Sequence, residues 1–210
     1  MENLKKFTGI LTGRFDNSEQ FSRLKSEGVQ GFPYAEHVNT VCNDKIIGLP
    51  KDFDGIFMVE ESYYTVGEIT KPMPHLFLFT EEGDGVKLTS WELPEGYDKT
   101  SFTWDSLEGV EYSKLKVSEK FTPAVYKLKD GVWEGGSVSM FSPVLKFTLF
   151  ERFSEDCLEV SESMEVNGKK TFGYDEPIIY KRKNDIKNHP QGWFKVVDNI
   201  DNLSSKPHFI

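Results

Sequence analysis

Hydrophobic and polar residues alternate over much of the chain from residue 56 onward, in short segments rich in Val, Ile, Phe, Tyr and Thr. This period of two is typical of β-strands that bury one face. Turn sequences separate several segments, most clearly Asn167-Gly168 and Asp130-Gly131, with Glu82 to Gly85 as a third. The pattern predicts strands near residues 56–66, 75–81, 85–92, 123–129, 132–141, 144–153, 157–166 and 169–182.

No long helical pattern lies between these segments, which disfavours parallel β-α-β units. Consecutive hairpins form an antiparallel meander, and closing such a sheet into a barrel removes its exposed edges. The sequence therefore predicts an all-β, mainly antiparallel fold, with a single barrel domain over residues 1–183. Residues 94–120 are less periodic and contain a short helical turn or a loop at Trp104 to Leu107. Residues 184–210 form a polar tail whose apolar residues, such as Trp193, favour packing on the barrel.

The N-terminal region differs from the rest because it contains helical patterns. Residues 4–11 are amphipathic and fit either a helix or a strand. Apolar residues three positions apart then predict a short helix over roughly residues 18–27. Asp16, Asn17 and Ser18 are all favourable N-cap residues for this helix.

Composition and charge argue against several classes of function. The chain has 210 residues, a formal net charge of −9 and a sequence pI of about 5.0, so it lacks the basic face that nucleic acids require. It contains no signal-peptide pattern and no apolar run long enough to cross a membrane, so we expect a cytoplasmic protein. Cys42 and Cys157 are expected to be free thiols. The four histidines lack metal-ligand spacing, so we expect no metal and no cofactor.

The segment Glu60-Glu61-Ser62-Tyr63-Tyr64 is the strongest candidate for chemistry. On a strand, Glu60, Ser62 and Tyr64 face one way and the other two residues face the opposite way, so one set points into a barrel. A carboxyl group in a partly dry lumen has a raised pKa and acts as a proton donor or base. The alternative is a hydrogen-bonded network that only supports the fold.

Charged residues on the later strands are expected to face solvent, as polar residues in antiparallel sheets mostly do. These residues are Glu151, Arg152, Glu162 and Glu165.

Gly13, Phe15, Asn17 and Gln20 form a pattern that resembles the N-terminal signature of the CpcT/CpeT family of phycobiliprotein chromophore lyases. Four further segments are similar to parts of that family in the expected order: FPYAEHV (32–38), FMVEESYY (57–64), VWEGGSV (132–138) and KKTFGYDEPIIYKR (169–182). The resemblance implies a calycin-like barrel, related in shape to lipocalins, that holds a linear tetrapyrrole in its mouth. It also implies a homodimer.

The resemblance further implies a set of site residues. Glu60 takes the position of a glutamate on a strand of the family, which makes it our candidate catalytic group, facing inward. The candidate ligand-binding residues are Arg14, Asn17, Gln20, Ser62, Tyr64 and His75. An inward Glu60 needs a buried partner, for which Tyr64, Tyr126 and Arg152 are candidates. The N-terminal motif has a structural alternative, in which Phe15 and Phe21 plug one end of the barrel and Asn17 caps the helix.

Two functions remain open from the sequence. One is a lyase-like enzyme, in which Glu60 protonates a bound bilin so that the cysteine thiolate of a partner protein adds to it. The other is a non-catalytic, lipocalin-like binder of a small molecule, with a filled structural barrel as a further alternative. Residues 74–79 read PHLFLF and lack the arginines that the family has on this strand, where they would pair with bilin propionates. Their absence favours the non-catalytic alternatives.

Overall fold

A computed structural model describes residues 2–183 and shows a closed antiparallel β-barrel of ten strands within that range. The helices and strands of this range are α1 (Glu2–Leu11), β1 (Gly13–Asp16), α2 (Ser18–Ser26), β2 (Tyr34–Val41), β3 (Ile46–Ile47), β4 (Ile56–Val66), β5 (Ile69–Pro72), β6 (His75–Glu82), β7 (Gly85–Trp91), β8 (Val110–Glu111), β9 (Ala124–Lys129), β10 (Val132–Met140), β11 (Leu145–Phe153), β12 (Cys157–Val166), β13 (Lys169–Gly173) and β14 (Ile178–Arg182). The fold is all-β and calycin-like, as the sequence predicts.

The barrel wall follows the order β1, β2, β4, β6, β7, β9, β10, β11, β12 and β14, and β14 pairs with β1 to close it. Every pairing in the wall is antiparallel. Strands β5 and β13 extend the sheet at β4 and β12, and β3 pairs with β8 in a separate parallel ribbon.

The predicted hairpins are confirmed by the backbone. Asp130 and Asn167 adopt positive φ angles of 51° and 52°, which is the conformation that such turns need. One predicted strand is wrong in extent, because residues 169–182 form β13 and β14 with a break between them. Strands β1, β2 and β5 were not predicted from the sequence, since β1 and β5 are short and the period of β2 is masked by its polar residues.

Helix α1 closes one end of the barrel, which resolves the open question over residues 4–11. Leu4, Phe7 and Leu11 lie on the buried face of the helix and join the core inside the barrel. The Phe7 ring is fully buried. Ring centroids of four aromatic side chains lie 4.8–5.3 Å from it, those of Phe79, Tyr126, Trp133 and Phe153. This end of the barrel is therefore packed with aromatic rings.

A second apolar cluster lies on the outer face of β4 and β6, where the connections at residues 43–55 and 92–117 cover it. Its buried members are Cys42, Ile46, Phe57, Val59, Leu76, Leu78, Phe102, Leu107 and Leu115. Strands β4 and β6 are thus buried on both faces near the closed end, which explains why their sequences read as continuous apolar runs. Trp104 to Leu107 form a turn rather than a helix.

The residues of the N-terminal motif hold the chain in place. Gly13 has a φ of 143°, and a Cβ atom there would collide with the Arg182 guanidinium group, so only glycine fits. That guanidinium group donates hydrogen bonds to the carbonyls of Ile10 and Thr12, at the end of α1. Phe15 is buried in the core. Phe21 is not a plug, because it is only half-buried and packs against Tyr34.

The prediction that the Asn17 side chain caps α2 is wrong. Asn17 Nδ2 donates to the Pro33 carbonyl at 2.9 Å, and Asn17 Oδ1 accepts from the Ala35 amide at 2.8 Å. The helix is capped by Asp16 instead, whose carboxylate accepts a hydrogen bond from the Ser18 amide at 3.0 Å. The side chain of Asn17, directly after β1, thus binds the backbone at the start of β2.

Cys42 and Cys157 are free thiols, as predicted. Neither α1 nor α2, the two α-helices in the described range, is long and apolar enough to span a membrane. The predicted packing of the tail over residues 184–210 lies outside the described residues.

Candidate functional site

The strand register brings a set of polar side chains to the inside of the barrel, above the rings that pack around α1. On β2 and β4, His37 lies opposite Ser62 and Asn39 lies opposite Glu60. On β11 and β12, Glu151 lies opposite Val160 and Glu162 lies opposite Leu149. We call the inward groups the inner polar cluster; its members are His37, Glu60, Ser62, Tyr64, His75, Tyr126, Glu151, Glu162 and Tyr180.

His37 and Glu60 form the centre of this cluster. Their closest atoms, Nδ1 and Oε2, are 3.4 Å apart, and both side chains are almost completely buried. The Ser62 hydroxyl donates to the other Glu60 oxygen at 3.1 Å, and His37 Nε2 lies 3.0 Å from the Tyr180 hydroxyl. Glu60 therefore has the buried partner that an inward carboxylate needs, and this partner is His37. Arg152 is not the partner, because its guanidinium group lies on the outer face beside Glu134 and Glu159.

The two groups stabilise each other's charged forms. Burial alone would lower the pKa of His37, but the charge of Glu60 and its hydrogen bond raise it above the ordinary value of 6.5. Burial alone would raise the pKa of Glu60, but the charge and hydrogen bond of His37 lower it below 4.5. Near neutral pH, Glu60 is thus ionised and is a poor proton donor.

Glu151 and Glu162 behave in the opposite way. Burial, reinforced by the negative charge of Glu60, raises the pKa of each carboxyl group to about 7. Glu151 accepts a hydrogen bond from the Tyr126 hydroxyl. The carboxyl group of Glu162 has no hydrogen bond or ion pair with any described residue. Two inward carboxyl groups therefore retain protons over a substantial part of the neutral pH range.

The expectation that Glu151 and Glu162 face solvent is wrong. Both positions share a face with inward apolar residues: Glu151 lies two residues from Leu149 and from Phe153, and Glu162 lies two residues from Val160. That periodicity was the signal in the sequence. Arg152 and Glu165 do face outward, and Glu165 lies 2.8 Å from the amine of Lys146.

The remaining titratable members of the cluster are neutral donors or acceptors. Burial raises the pKa of Tyr64, Tyr126 and Tyr180 well above 10, so these phenols keep their protons. Burial, with the positive charge of His37, lowers the pKa of His75, so its imidazole stays neutral at neutral pH. His37 itself was not anticipated from the sequence, since β2 was not predicted.

A narrow cavity runs from the inner polar cluster to the open end of the barrel. Its volume is about 60 Å³, and it is lined by His37, Glu60, Glu151 and Glu162 among others. This is enough for a few water molecules and much less than the roughly 300–1,000 Å³ of a typical small-molecule pocket. No lysine or arginine of the described chain lines it. The cavity is therefore small and acidic.

Aromatic rings surround the open end, which we call the mouth. They belong to His75, Phe77, Phe121, Phe141 and Phe147. His75 stacks on Phe77 with centroids 5.2 Å apart, and Phe141 stacks on Phe147 at 5.5 Å. Phe121 and Phe141 are only half-buried. The mouth thus presents flat apolar faces directly above polar groups.

The candidate site residues fall into two groups in the structure. Glu60, Ser62, Tyr64 and His75 lie together in or beside the inner polar cluster.

The other three are held in contacts away from the cavity. Arg14 lies on the outer face, with its guanidinium group 2.6 Å from Glu36. Gln20 bonds the Pro177 carbonyl and the Ile179 amide, both at 2.8 Å, and so ties α2 to β14. Asn17 makes the backbone contacts described above. The structure does not bring these three side chains to the rim.

The arrangement can bind hydrogen-bond donors and transfer protons. Within residues 2–183, no group of three or more His, Cys, Asp or Glu side chains is placed to hold a metal ion. No protein-family model matches the sequence, and comparison with curated proteins gives no match. Membership of the CpcT/CpeT family and the homodimer thus stay predictions.

Proposed function

We propose that the protein is a small-molecule-binding barrel whose ligand is flat, unsaturated and rich in N–H donors, and that a linear tetrapyrrole is such a ligand. The observation that carries the proposal is the combination of an aromatic mouth with an acidic interior. Flat faces of unsaturated rings stack on aromatic side chains, and ring N–H groups donate to carboxyl groups. The resemblance to chromophore lyases supports the choice of a tetrapyrrole.

The charge inside the barrel sets the orientation of such a ligand. Linear tetrapyrroles carry two propionate groups, and Glu60, Glu151 and Glu162 would repel these groups inside the lumen. No lysine or arginine lines the described cavity, and the positive charge of His37 is already neutralised by Glu60. The propionates must therefore remain outside, in water, with the pyrrole rings across the mouth.

The small cavity volume also bears on the proposal. A space of about 60 Å³ does not accept a four-ring ligand, so the ligand must lie across the mouth and displace half-buried rings there. Phe121 and Phe141 are suited to this, because they are half-buried and their ring contacts are with each other, with Phe147 and, for Phe121, with His75.

Two ligands with the same rings, one with charged propionates and one with neutral methyl esters, test the proposal. Biliverdin is a dianion at neutral pH, whereas its dimethyl ester has the same rings without the charges. Absorbance titration should show tighter binding of the ester, by about tenfold or more, which corresponds to about 1.4 kcal/mol. Phe121→Ala should weaken binding of the ester. The matched control is Phe21→Ala, which removes a half-buried ring outside the mouth and should leave binding unchanged. Tighter binding of biliverdin, or no binding of either molecule, contradicts the proposal.

Lyase-like transfer is a second candidate, favoured by the carboxyl groups that keep protons near neutral pH. Glu151 or Glu162 would pass a proton to a ring nitrogen of the bilin and become a carboxylate. The thiolate of an acceptor cysteine would then add to the cationic bilin and give a neutral thioether. Ionised Glu60 would stabilise the cation rather than form it.

The second candidate has its own test. Protonated bilins absorb at longer wavelength, so bound biliverdin dimethyl ester should shift toward the red, and Glu151→Gln or Glu162→Gln should reduce the shift. Glu165→Gln, on the outer face of β12, is the control. If only Glu60→Gln abolished the red shift, Glu60 would be the proton donor, and the roles given to Glu151 and Glu162 would be contradicted.

A further inference from the structure

The barrel wall has a gap on one side of β12. This strand pairs with β14 over Cys157–Val160 and with β13 over Ser163–Val166, so residues 161–162 have no strand neighbour on that side. The chain leaves the sheet at Gly173, whose φ is 121°, and a Cβ atom there would lie 2.6 Å from the Glu162 carbonyl oxygen. The strand pairing of the wall is therefore interrupted beside Glu162, where the backbone of Gly173 approaches closely.

A cleft of about 260 Å³ lies at this gap. Its sides carry the aromatic rings of Phe150 and Tyr174 and the hydroxyl groups of Thr148, Ser161 and Ser163. Val160 and Glu162 line both this side cleft and the narrow inner cavity, so these residues lie between the two spaces. The charge of Glu162 contributes to the raised pKa of Tyr174 on the side of the cleft, which relates the carboxyl group to this space.

The charges around the cleft are balanced except for Glu162. Lys170 Nζ donates to the Tyr174 carbonyl at 3.1 Å and lies 3.7 Å from Asp175. Glu176 forms an ion pair with Arg23 at 2.9 Å. The Glu162 carboxyl group, in contrast, has no hydrogen bond or ion pair in the described chain, and the residue is partly buried.

We propose that this side cleft is a binding site for a small organic cation, such as an amine or amidine attached to a single flat ring, with its charged nitrogen at Glu162. The volume suits one ring rather than several. A cation at the inner end neutralises the buried carboxylate, and Phe150 and Tyr174 stabilise the flat cation through their ring faces. The hydroxyl groups accept the N–H donors that do not reach the carboxylate.

The charge on Glu162 depends on its surroundings, so binding is expected to depend on pH. The groups that act on it come from several elements: His37, Glu60, Tyr64, Glu151, Lys170, Tyr174 and Tyr180. Burial and the negative charge of Glu60 raise the pKa of Glu162 to about 7. The cation should therefore bind tightly above this pH, where Glu162 is ionised, and weakly below it.

Three probes of equal size and different charge test the proposal: benzamidine, benzamide and benzoate. At about pH 8, calorimetry or chemical-shift titration should show benzamidine binding at least about tenfold more tightly than benzamide, and benzoate not at all. Glu162→Gln should remove this preference, whereas Glu165→Gln, on the outer face of the same strand, should leave binding unchanged. Equal binding of benzamidine and benzamide, or an unaffected Glu162→Gln variant, overturns the proposal.

The wild-type protein gives a second measurement that does not rely on a variant. Benzamidine keeps its charge throughout the range from about pH 5.5 to 8.5, so weaker binding at low pH reports protonation of Glu162. Constant affinity over this range overturns the proposal. Benzamidine is too small to cover the mouth, so Phe121→Ala should not change its affinity. Failure of benzamidine binding at the side cleft can therefore be distinguished from failure of tetrapyrrole binding at the mouth.

Discussion

The two ends of the barrel are built from different chemistry. At the closed end, Phe7 of α1 is surrounded by aromatic rings and no charged side chain belongs to that described core. Toward the mouth, three carboxyl groups and two imidazoles share one small space. The first arrangement stabilises the fold, because it buries apolar area. The second is costly, since buried charges lose hydration, and such clusters are typical of functional sites.

The largest expected effect is at the closed end. Phe7→Ala removes a fully buried ring and leaves a cavity, which should lower the free energy of unfolding by about 3–5 kcal/mol. Phe121→Ala at the mouth should lower it by only about 1 kcal/mol, because that ring is half-buried. Urea unfolding of both variants measures the difference. Equal losses would mean that the mouth is as important for stability as the closed end.

The second prediction separates the paired carboxyl group from the unpaired one. Glu60→Gln removes one member of a buried ion pair and should destabilise the protein by about 3 kcal/mol, since His37 loses its counter-charge. Glu162→Gln at about pH 8 should be neutral or stabilising, because it removes a buried carboxylate without a partner. Thermal unfolding at one pH compares the two. A larger loss for Glu162→Gln would show that Glu162 has an unrecognised stabilising partner.

The third prediction concerns pH. The pKa of Glu151 and of Glu162 is about 7 in the folded chain and near 4.5 when unfolded, so the folded state binds their protons more tightly. The stabilisation of the folded state by these two protons is complete below about pH 4.5 and is lost as the pH rises through about 7. The raised pKa of His37 has the same effect above pH 6.5, because the folded state again holds the proton more tightly. Between about pH 5 and 8 the free energy of unfolding should fall by roughly 5 kcal/mol, about 2.5 kcal/mol for each carboxyl group, and the lowered pKa of His75 offsets a small part of this fall.

A double variant provides the control for this pH effect. Combining Glu151→Gln with Glu162→Gln should flatten the dependence between about pH 5 and 7, leaving the smaller and opposing contributions of His37 and His75. A wild-type protein that becomes more stable as pH rises through this range would contradict the assigned protonation states.

The smallest expected effect is in the N-terminal motif. Asn17→Ala leaves the Ala35 amide and the Pro33 carbonyl without partners and should cost about 1–2 kcal/mol. Asp16→Ser keeps a group that accepts the Ser18 amide and should cost less, through loss of the ion pair with Lys183. Urea unfolding measures both losses of stability. A larger loss for Asp16→Ser would show that the cap of α2 stabilises the fold more than the hydrogen bonds of Asn17 do.

Alternation and turn residues were enough to predict the antiparallel barrel, because β7 and the strands from β9 to β12 each bury one face, and Asn167 and Asp130 mark turns. They were not enough for β1, since a strand of four residues carries too little periodicity. The inward direction of Glu60 was predicted. Glu151 and Glu162 were misassigned because residue type was given more weight than phase.

The sequence did not predict the role of His37 for a different reason. Its role depends on β2 lying beside β4, and no local pattern in the sequence specifies which strands become neighbours. Asn17 and Gln20 show the converse, because polar residues in a recognisable motif bind backbone groups rather than a ligand. A motif that recurs for structural reasons supports the fold more directly than it supports the activity.

The most direct test of the account is to measure the ionisation of the inward carboxyl groups themselves. In protein labelled with ¹³C at the glutamate side chains, the carboxyl resonances of Glu151 and Glu162 should titrate with a pKa of about 7, while Glu60 stays ionised down to acid pH. The Gln variants assign the three resonances. Titration of Glu151 and Glu162 near the ordinary value of 4.5 would show that the interior is well hydrated, and would contradict the acidic, proton-holding site on which the account rests.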